Sequence, residues 1–187
     1  MNKKRGAAHA DFSTINNRTL VLRQLTLADA PEIFDYFRLD EVTKYYDLES
    51  FTELRQAEEL IERWSARFER QAGIRWGIAL KSDDRIIGTC GYHGWSKEHG
   101  RAEIGYELTP ACWRQGIMSE ALAAIIPYGF DRMGLNRIQA FIDQDNAGSR
   151  NVLEKAGLCE EGLLRDYFFE KGRFVDAVLF ARLKRDR

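Results

Sequence analysis

Hydrophobic and polar positions recur along this chain with two periods. Between Arg101 and Leu108, the residues Ala102, Ile104, Tyr106 and Leu108 fall on one side, and Arg101, Glu103, Gly105 and Glu107 on the other. This is the period of two of a strand. Pro110 cannot donate to a ladder, so that strand ends at or before Thr109. Leu20–Leu25, Arg75–Leu80, Arg85–Trp95 and Asn136–Ile142 also read as strands. Leu158–Phe169 and Phe174–Lys184 form a last pair about a turn at Glu170-Lys171-Gly172-Arg173. Lys81–Asp84 is a polar hairpin turn, and Gly88, Gly91 and Gly94 imply bulges or close backbone approach in the strand that follows it.

Helical spacing takes over elsewhere. Ile33, Phe34 and Phe37 share a face behind a cap at Thr26 or Asp29, with Pro31 in the first turn. Thr52–Gln71 carries Leu54, Ala57, Leu60, Ile61, Trp64 and Phe68 on one stripe and stops at Gly73. Ile117–Asp131 and Ala147–Ala156 are helical, the latter closed by Gly157. Pro127 lies well inside the former and predicts a kink or an early end. The order β, α, α, β, β, β, α, β, α, β, β describes a mixed α/β (α+β) single domain, with a meander first and βα units after it.

At 187 residues, one domain covering residues 18–187 is expected, behind a polar, aperiodic lead over residues 1–17 that reads as flexible. A net charge of −1 gives no reason to expect nucleic acid or an anionic membrane as partner. Cys90, Cys112 and Cys159 are odd in number and lack CxxC spacing, and His9, His93 and His99 form no metal-ligand pattern. Reduced structural thiols in a cytoplasmic protein with no metal are the expectation. No apolar run is long enough to span a bilayer. One stretch departs from neutrality: residues 40–59 hold seven acids against two bases. That is either a solvated face or an electrostatic funnel for a cationic amine, with Tyr45, Tyr46 and Phe51 lining the mouth or packing between helices.

Two stretches carry candidate chemistry. Trp113-Arg114-Gln115-Gly116-Ile117-Met118-Ser119 joins a strand to a helix start, where bare amides and the helix dipole both favour an anionic diphosphate. In the second, Asp143 to Leu158, Asn146 and Ser149 lie one helical turn apart and present polar groups to one site, although both are also ordinary capping residues.

The segment W-R-Q-G-I-M-S-E-A resembles the acyl-CoA pyrophosphate loop of the GNAT N-acetyltransferases, especially the RimJ/RimL-type branch, with Trp113 first and Gly116 fourth. Met118 stands where a small residue is usual, which would narrow the approach to the diphosphate. N-x-x-S with its later E/K-x-G-F/L ending resembles a second signature of that branch. The likeness covers about residues 18–185. It implies a mostly antiparallel mixed sheet with helices on both faces, splayed between the fourth and fifth strands (Arg101–Leu108 and Asn136–Ile142). By the resemblance, acetyl-CoA enters that opening as cosubstrate. The backbone of Glu107, Leu108 and Thr109 runs beside the pantetheine, and the amides of Arg114, Gln115, Gly116, Ile117, Met118 and Ser119 hold the diphosphate. Asn146 meets the pantetheine or thioester end, and Ser149 lies near the departing sulfur.

Direct transfer to an amine needs a proton acceptor, an oxyanion donor and a proton for the thiolate. Glu103 and Glu107 share a strand face, and Glu103 is the favoured base, although either is also a plain solvated acid. The Leu108 N–H suits the oxyanion; Ser149, with Tyr167 in reserve, suits the thiolate. The acceptor is a protein N-terminal α-amine or a small cationic amine, and the enzyme a monomer or homodimer. The alternative is a non-catalytic acyl-CoA-sensing or partner-binding domain on the same scaffold.

Overall fold

The computed structural model describes residues 12–186. Its elements are β1 (Ile15–Asn16), β2 (Leu20–Arg23), α1 (Ala30–Phe37), α2 (Asp40–Thr43), α3 (Leu54–Glu69), β3 (Ile74–Leu80), β4 (Ile86–Ser96), β5 (Arg101–Leu108), α4 (Ile117–Asp131), β6 (Arg137–Ile142), α5 (Ala147–Lys155), β7 (Cys159–Glu170) and β8 (Arg173–Leu183). One sheet runs in the order β1-β2-β3-β4-β5-β6-β8-β7, antiparallel throughout except where β5 meets β6. The expected mixed, mostly antiparallel fold is present, with β1 as an additional strand.

Strand alternation sends side chains to two cores. Ile74, Trp76 and Ile78 of β3, Cys90 and Tyr92 of β4 and Ile104 of β5 pack with Ala121, Leu122, Ile125 and Phe130 of α4 and Leu153 of α5. On the other face, Ala79 and Ile86 meet Ile33 and Phe37 of α1 and Ala57, Leu60, Ile61 and Trp64 of α3. Leu122, Ile125 and Phe130 are wholly buried, each contributing about 1.5–3 kcal/mol. Their burial explains why α4 does not end at Pro127 and instead runs on to Asp131: a missing helix bond costs about 3 kcal/mol, which the apolar contacts on both sides of the proline offset.

Two features correct the sequence reading. The turn between β7 and β8 is tighter than four residues: Lys171 and Gly172 alone turn the chain, both with positive φ (49° and 78°), as a two-residue hairpin requires. The flexible lead lies outside the described residues as far as residue 11. Residues 12–17 are docked, with Phe12 edge-on to Phe68 at 4.9 Å, the Trp76 indole donating to the Ser13 carbonyl at 3.0 Å, and Ile15–Asn16 paired with β2.

The sheet parts in its middle. β5 and β6 pair in parallel only at Arg101–Arg137, Ala102–Ile138 and Glu103–Gln139. β6 then stays with β8 as far as Ile142, while β5 stays with β4 as far as Leu108. Beyond Glu103 one edge of β5 is therefore open.

Candidate active site

Which amides face the opening follows from strand parity, since consecutive residues direct their N–H and C=O to opposite edges. The Thr109 N–H donates to Ile87 of β4 at 2.8 Å, so Leu108 and Tyr106 direct theirs into the gap. The Leu108 carbonyl is already taken: the Trp113 indole N–H donates to it at 2.7 Å. That bond folds the loop over the end of β5 and leaves the Leu108 N–H toward the opening. Glu107 presents its backbone to β4 and its side chain to the α1/α3 face, away from the gap.

The loop after β5 ends at Gly116, which caps α4 with φ 78°, a left-handed conformation that suits glycine. Arg114 also has positive φ (61°). The first intrahelical bond runs from the Glu120 N–H to the Gly116 carbonyl, so the amides of Ile117, Met118 and Ser119 are the unsatisfied donors of a helix start. Residues 113–116 are exposed, and Gln115 turns back to the Ala111 carbonyl at 2.8 Å. Met118 does not narrow this approach. Its side chain is buried in the α4 core, so the residue contributes an amide to the loop and a thioether to the packing.

Across the gap, Asn146 caps α5, its Oδ1 accepting the Ser149 N–H at 3.0 Å. The Ser149 hydroxyl lies 2.7 Å from the Tyr106 hydroxyl. Burial raises the Tyr106 pKa, against the Ser149 bond that lowers it, so the pair is two neutral hydroxyls bridging β5 and α5. Tyr167, the reserve candidate, is half-exposed and stacks on Phe141 at 5.1 Å. Alternation marked Tyr106 only as an apolar-face residue. Its sequence gave no signal for this contact, which arises from the parting of the strands.

The α1/α3 face of β5 carries charge. Glu107 is buried and accepts bonds from Arg75, Thr89, Tyr36 and Tyr46, the tyrosines at 3.2 Å each. Arg75 Nε donates to Thr89 at 2.6 Å, and its guanidinium lies 5.1 Å over the Trp64 ring. Burial lowers the Arg75 pKa, but Glu107 together with Tyr46, Cys90 and Tyr36 outweighs this and the net shift is upward. Burial and Glu107 together raise Tyr36 and Tyr46, keeping both as hydroxyl donors. Glu103, two pairs along, is half-buried and meets His93 Nε2 at 2.8 Å. Glu103 and Glu107 thus share a face as read from the sequence, but only Glu103 reaches solvent.

The acidic 40–59 stretch divides. Phe51 stacks on Phe37 in the core, Tyr46 joins the Glu107 cluster, and the exposed Tyr45 donates to the Asp145 carbonyl at 3.3 Å. Burial, then the charge of Asp47 and, less strongly, that of Asp143 after β6, raise the Glu170 carboxyl pKa in β7, with Lys171 opposing. Lys171 itself donates to the Thr43 carbonyl at 2.7 Å. Cys90 is a core thiol pushed up to about 12 by burial. Among the described residues no group of three or more His, Cys, Asp or Glu is placed to hold a metal ion, and no helix is long and apolar enough to cross a membrane.

Known proteins share this arrangement. The sequence model of the Acetyltransferase (GNAT) domain matches residues 19–158. The N-acetyltransferase YoaA of Bacillus subtilis is 40% identical over 173 residues, 92% of this chain and 98% of its own. The ribosomal-protein-serine acetyltransferase of Escherichia coli is 32% identical over 113 residues, 60% of this chain and 63% of its own. In three dimensions, Mycobacterium smegmatis RimJ in complex with a CoA-disulfide superposes with a TM-score of 0.85 over 95% of this chain and 90% of that one, at 22% identity. Strand order, parted sheet and glycine-capped loop agree with the sequence match: this chain belongs to the GNAT family and is an acetyl-transferring enzyme with RimJ/RimL-like relatives.

Proposed function

We propose that the protein transfers an acetyl group from acetyl-CoA to a primary amine by direct attack in a ternary complex. The observation that carries this is the open edge of β5, with the Leu108 and Tyr106 amides facing it, ending beside the bare amides of α4. The residues fit such a cosubstrate. The loop over residues 113–119 contains one charged side chain, the cation Arg114. The nearest acid, Glu120, is held by the Thr19 N–H and hydroxyl at 3.1 and 2.8 Å. A diphosphate is matched by the amides of residues 114–119, and an amide-bearing arm by the β5 edge and Asn146 Nδ2.

The Ser149–Tyr106 hydroxyl pair sets the reacting end at the level of Tyr106. Of the two amides in the gap, Tyr106 N–H then serves the developing oxyanion, and Leu108 N–H, the donor chosen from sequence, holds the arm. Ser149, backed by Tyr106, supplies a proton to the departing thiolate. The amine arrives from the α1/α3 side, because on the other side Ile104 packs into the apolar α4 core. Glu103 is the solvent-reaching carboxylate there. Asp47 and Asp143 both act on the charge of Glu170, which favours a cationic acceptor, either the N-terminal amine of a protein, the E. coli relative being named for a ribosomal protein, or a small polyamine-like molecule.

Release of CoA from acetyl-CoA tests this with peptides beginning Ser or Ala, spermidine and an aminoglycoside, each against a no-acceptor control. Turnover with one class establishes reaction and acceptor together. Cofactor binding without transfer to any of them would overturn the reading in favour of an acyl-CoA-sensing role.

A further inference from the structure

The geometry points to His93 as the group that takes the proton from the attacking amine, with Glu103 as its positioning residue. This deepens the transfer reaction above and rests on it. His93 and Glu103 are cross-strand partners in the β4–β5 ladder, and their contact is 2.8 Å, Nε2 to Oε1. A carboxylate accepts and does not donate, so Nε2 carries the hydrogen, and in the neutral imidazole Nδ1 is then the acceptor.

Nδ1 lies beside the Gly105 backbone. Gly105 follows Glu103 on the same face and is the first residue of that face beyond the point where β5 leaves β6. It is half-exposed and has no side chain. A Cβ built there would lie 3.6 Å from His93 Nδ1, 3.4 Å from Cε1 and 3.1 Å from Arg75 Nη1. Gly91 stands opposite it on β4, itself backed closely by the Ile74 carbonyl and Arg75 Cα of β3. The imidazole and the Arg75 guanidinium therefore lie against the bare Gly105 backbone, one residue from Tyr106, whose amide faces the gap.

The charged groups around the ring leave this role to it. Glu103 from β5 is bound to Nε2, and Arg75 from β3 is committed to Glu107 and Thr89. Arg67 of α3 passes along Gly73, where its Cδ and the His93 Cα both lie, and its charge acts on Arg75 and Tyr46. Lys97 is turned onto the Trp95 ring and Gln71. Glu107 is sealed under two tyrosines.

The step balances. An amine nitrogen bonds the thioester carbon, and its surplus proton passes to Nδ1 and then to solvent. The carbon–sulfur bond breaks, and the thiolate takes a proton from the Ser149–Tyr106 pair, which is replenished from water. A neutral amine yields amide and CoA thiol; an ammonium yields one further proton.

The test is the pH profile of kcat/KM for the acceptor, plotted against neutral amine, beside the acetyl-CoA Kd. His93→Gln is expected to lower kcat/KM about 10²-fold and to remove the acidic limb, with the cofactor Kd unchanged. Added imidazole restores part of the rate in His93→Ala. Glu103→Gln shifts the limb without abolishing it, and Gly105→Ala, whose methyl crowds the imidazole, lowers kcat/KM about 10²-fold. A wild-type limb and rate retained in His93→Gln would overturn the assignment while leaving the transfer reaction standing. No transfer by wild type to any amine would overturn both.

Discussion

Neutralising Glu107 by Glu107→Gln isolates the charge that holds the α1/α3 face of β5 together. The Arg75 and Glu107 side chains are 8% and 5% exposed, so the substitution strands a guanidinium in a site with almost no water. An uncompensated buried charge of this kind costs about 3–5 kcal/mol. For a domain of this size that lowers Tm by about 6–20 °C. Arg75→Met is milder, because Tyr36, Tyr46 and Thr89 still donate to the carboxylate left behind. The double variant Arg75→Met/Glu107→Gln carries no buried charge and should lose less than the sum of the two. Urea unfolding of all four proteins gives the coupling, expected to be at least about 1.5 kcal/mol. A coupling below about 0.5 kcal/mol, with m-values unchanged, would mean that the two charges are separately solvated and would refute the reasoning.

Met118→Ala opens a cavity in the α4 core and should destabilise by about 2–5 kcal/mol in urea unfolding while the acetyl-CoA Kd stays unchanged, since only the Met118 amide faces the loop. A changed Kd at constant stability would place its side chain in the phosphate site. Ser149→Ala keeps the Asn146 cap, which uses the backbone N–H, and should lower kcat about 10²-fold, with Tyr106→Phe following it; unchanged turnover in both would remove the hydroxyl pair from thiolate protonation. Stability should also be pH-sensitive at the alkaline end. Tyr36, Tyr46, Tyr92 and Tyr106 are all raised, chiefly by burial. The stability tied to their neutral forms is intact below their ordinary value of about 10 and is lost as pH rises through the folded values. The urea midpoint should fall above that pH, and less steeply in Tyr46→Phe.

Local periodicity was enough to place much of this molecule. The bounds of β5 and α4 follow from alternation, Pro110 and the spacing of Ala121, Leu122, Ile125 and Ile126. The glycine-capped loop and the Asn146–Ser149 turn were also legible, because caps are local chemistry. What was hidden depends on register. Arg75, Thr89 and Glu107 sit at polar positions on three strands, and such positions read as solvent-facing until α1 and α3 are known to cover them. The glycine at 105, on that same face, was the available signal, since it leaves room for the Arg75 guanidinium to lie across the strand. The role of Tyr106, placed by alternation on one face with Ala102, Ile104 and Leu108, is hidden for a similar reason: its hydroxyl finds Ser149 only because two strands diverge. β1 was missed because a two-residue strand has no period.

The docked segment before β2 bears on how the protein is handled. Asn17 donates to the Glu120 carbonyl at 3.1 Å, and Thr19 holds the Glu120 carboxylate. Glu120 belongs to the first turn of the helix whose amides are proposed above to hold the diphosphate, and its N–H closes on Gly116. The start of the chain and the cofactor loop are thus thermodynamically linked: whatever loosens residues 12–19 also loosens the amides that must be preorganised. A fusion or deletion engineered at this end would register as weaker cosubstrate affinity although it lies far from the acceptor, and binding of the cosubstrate would in turn protect these residues from proteolysis.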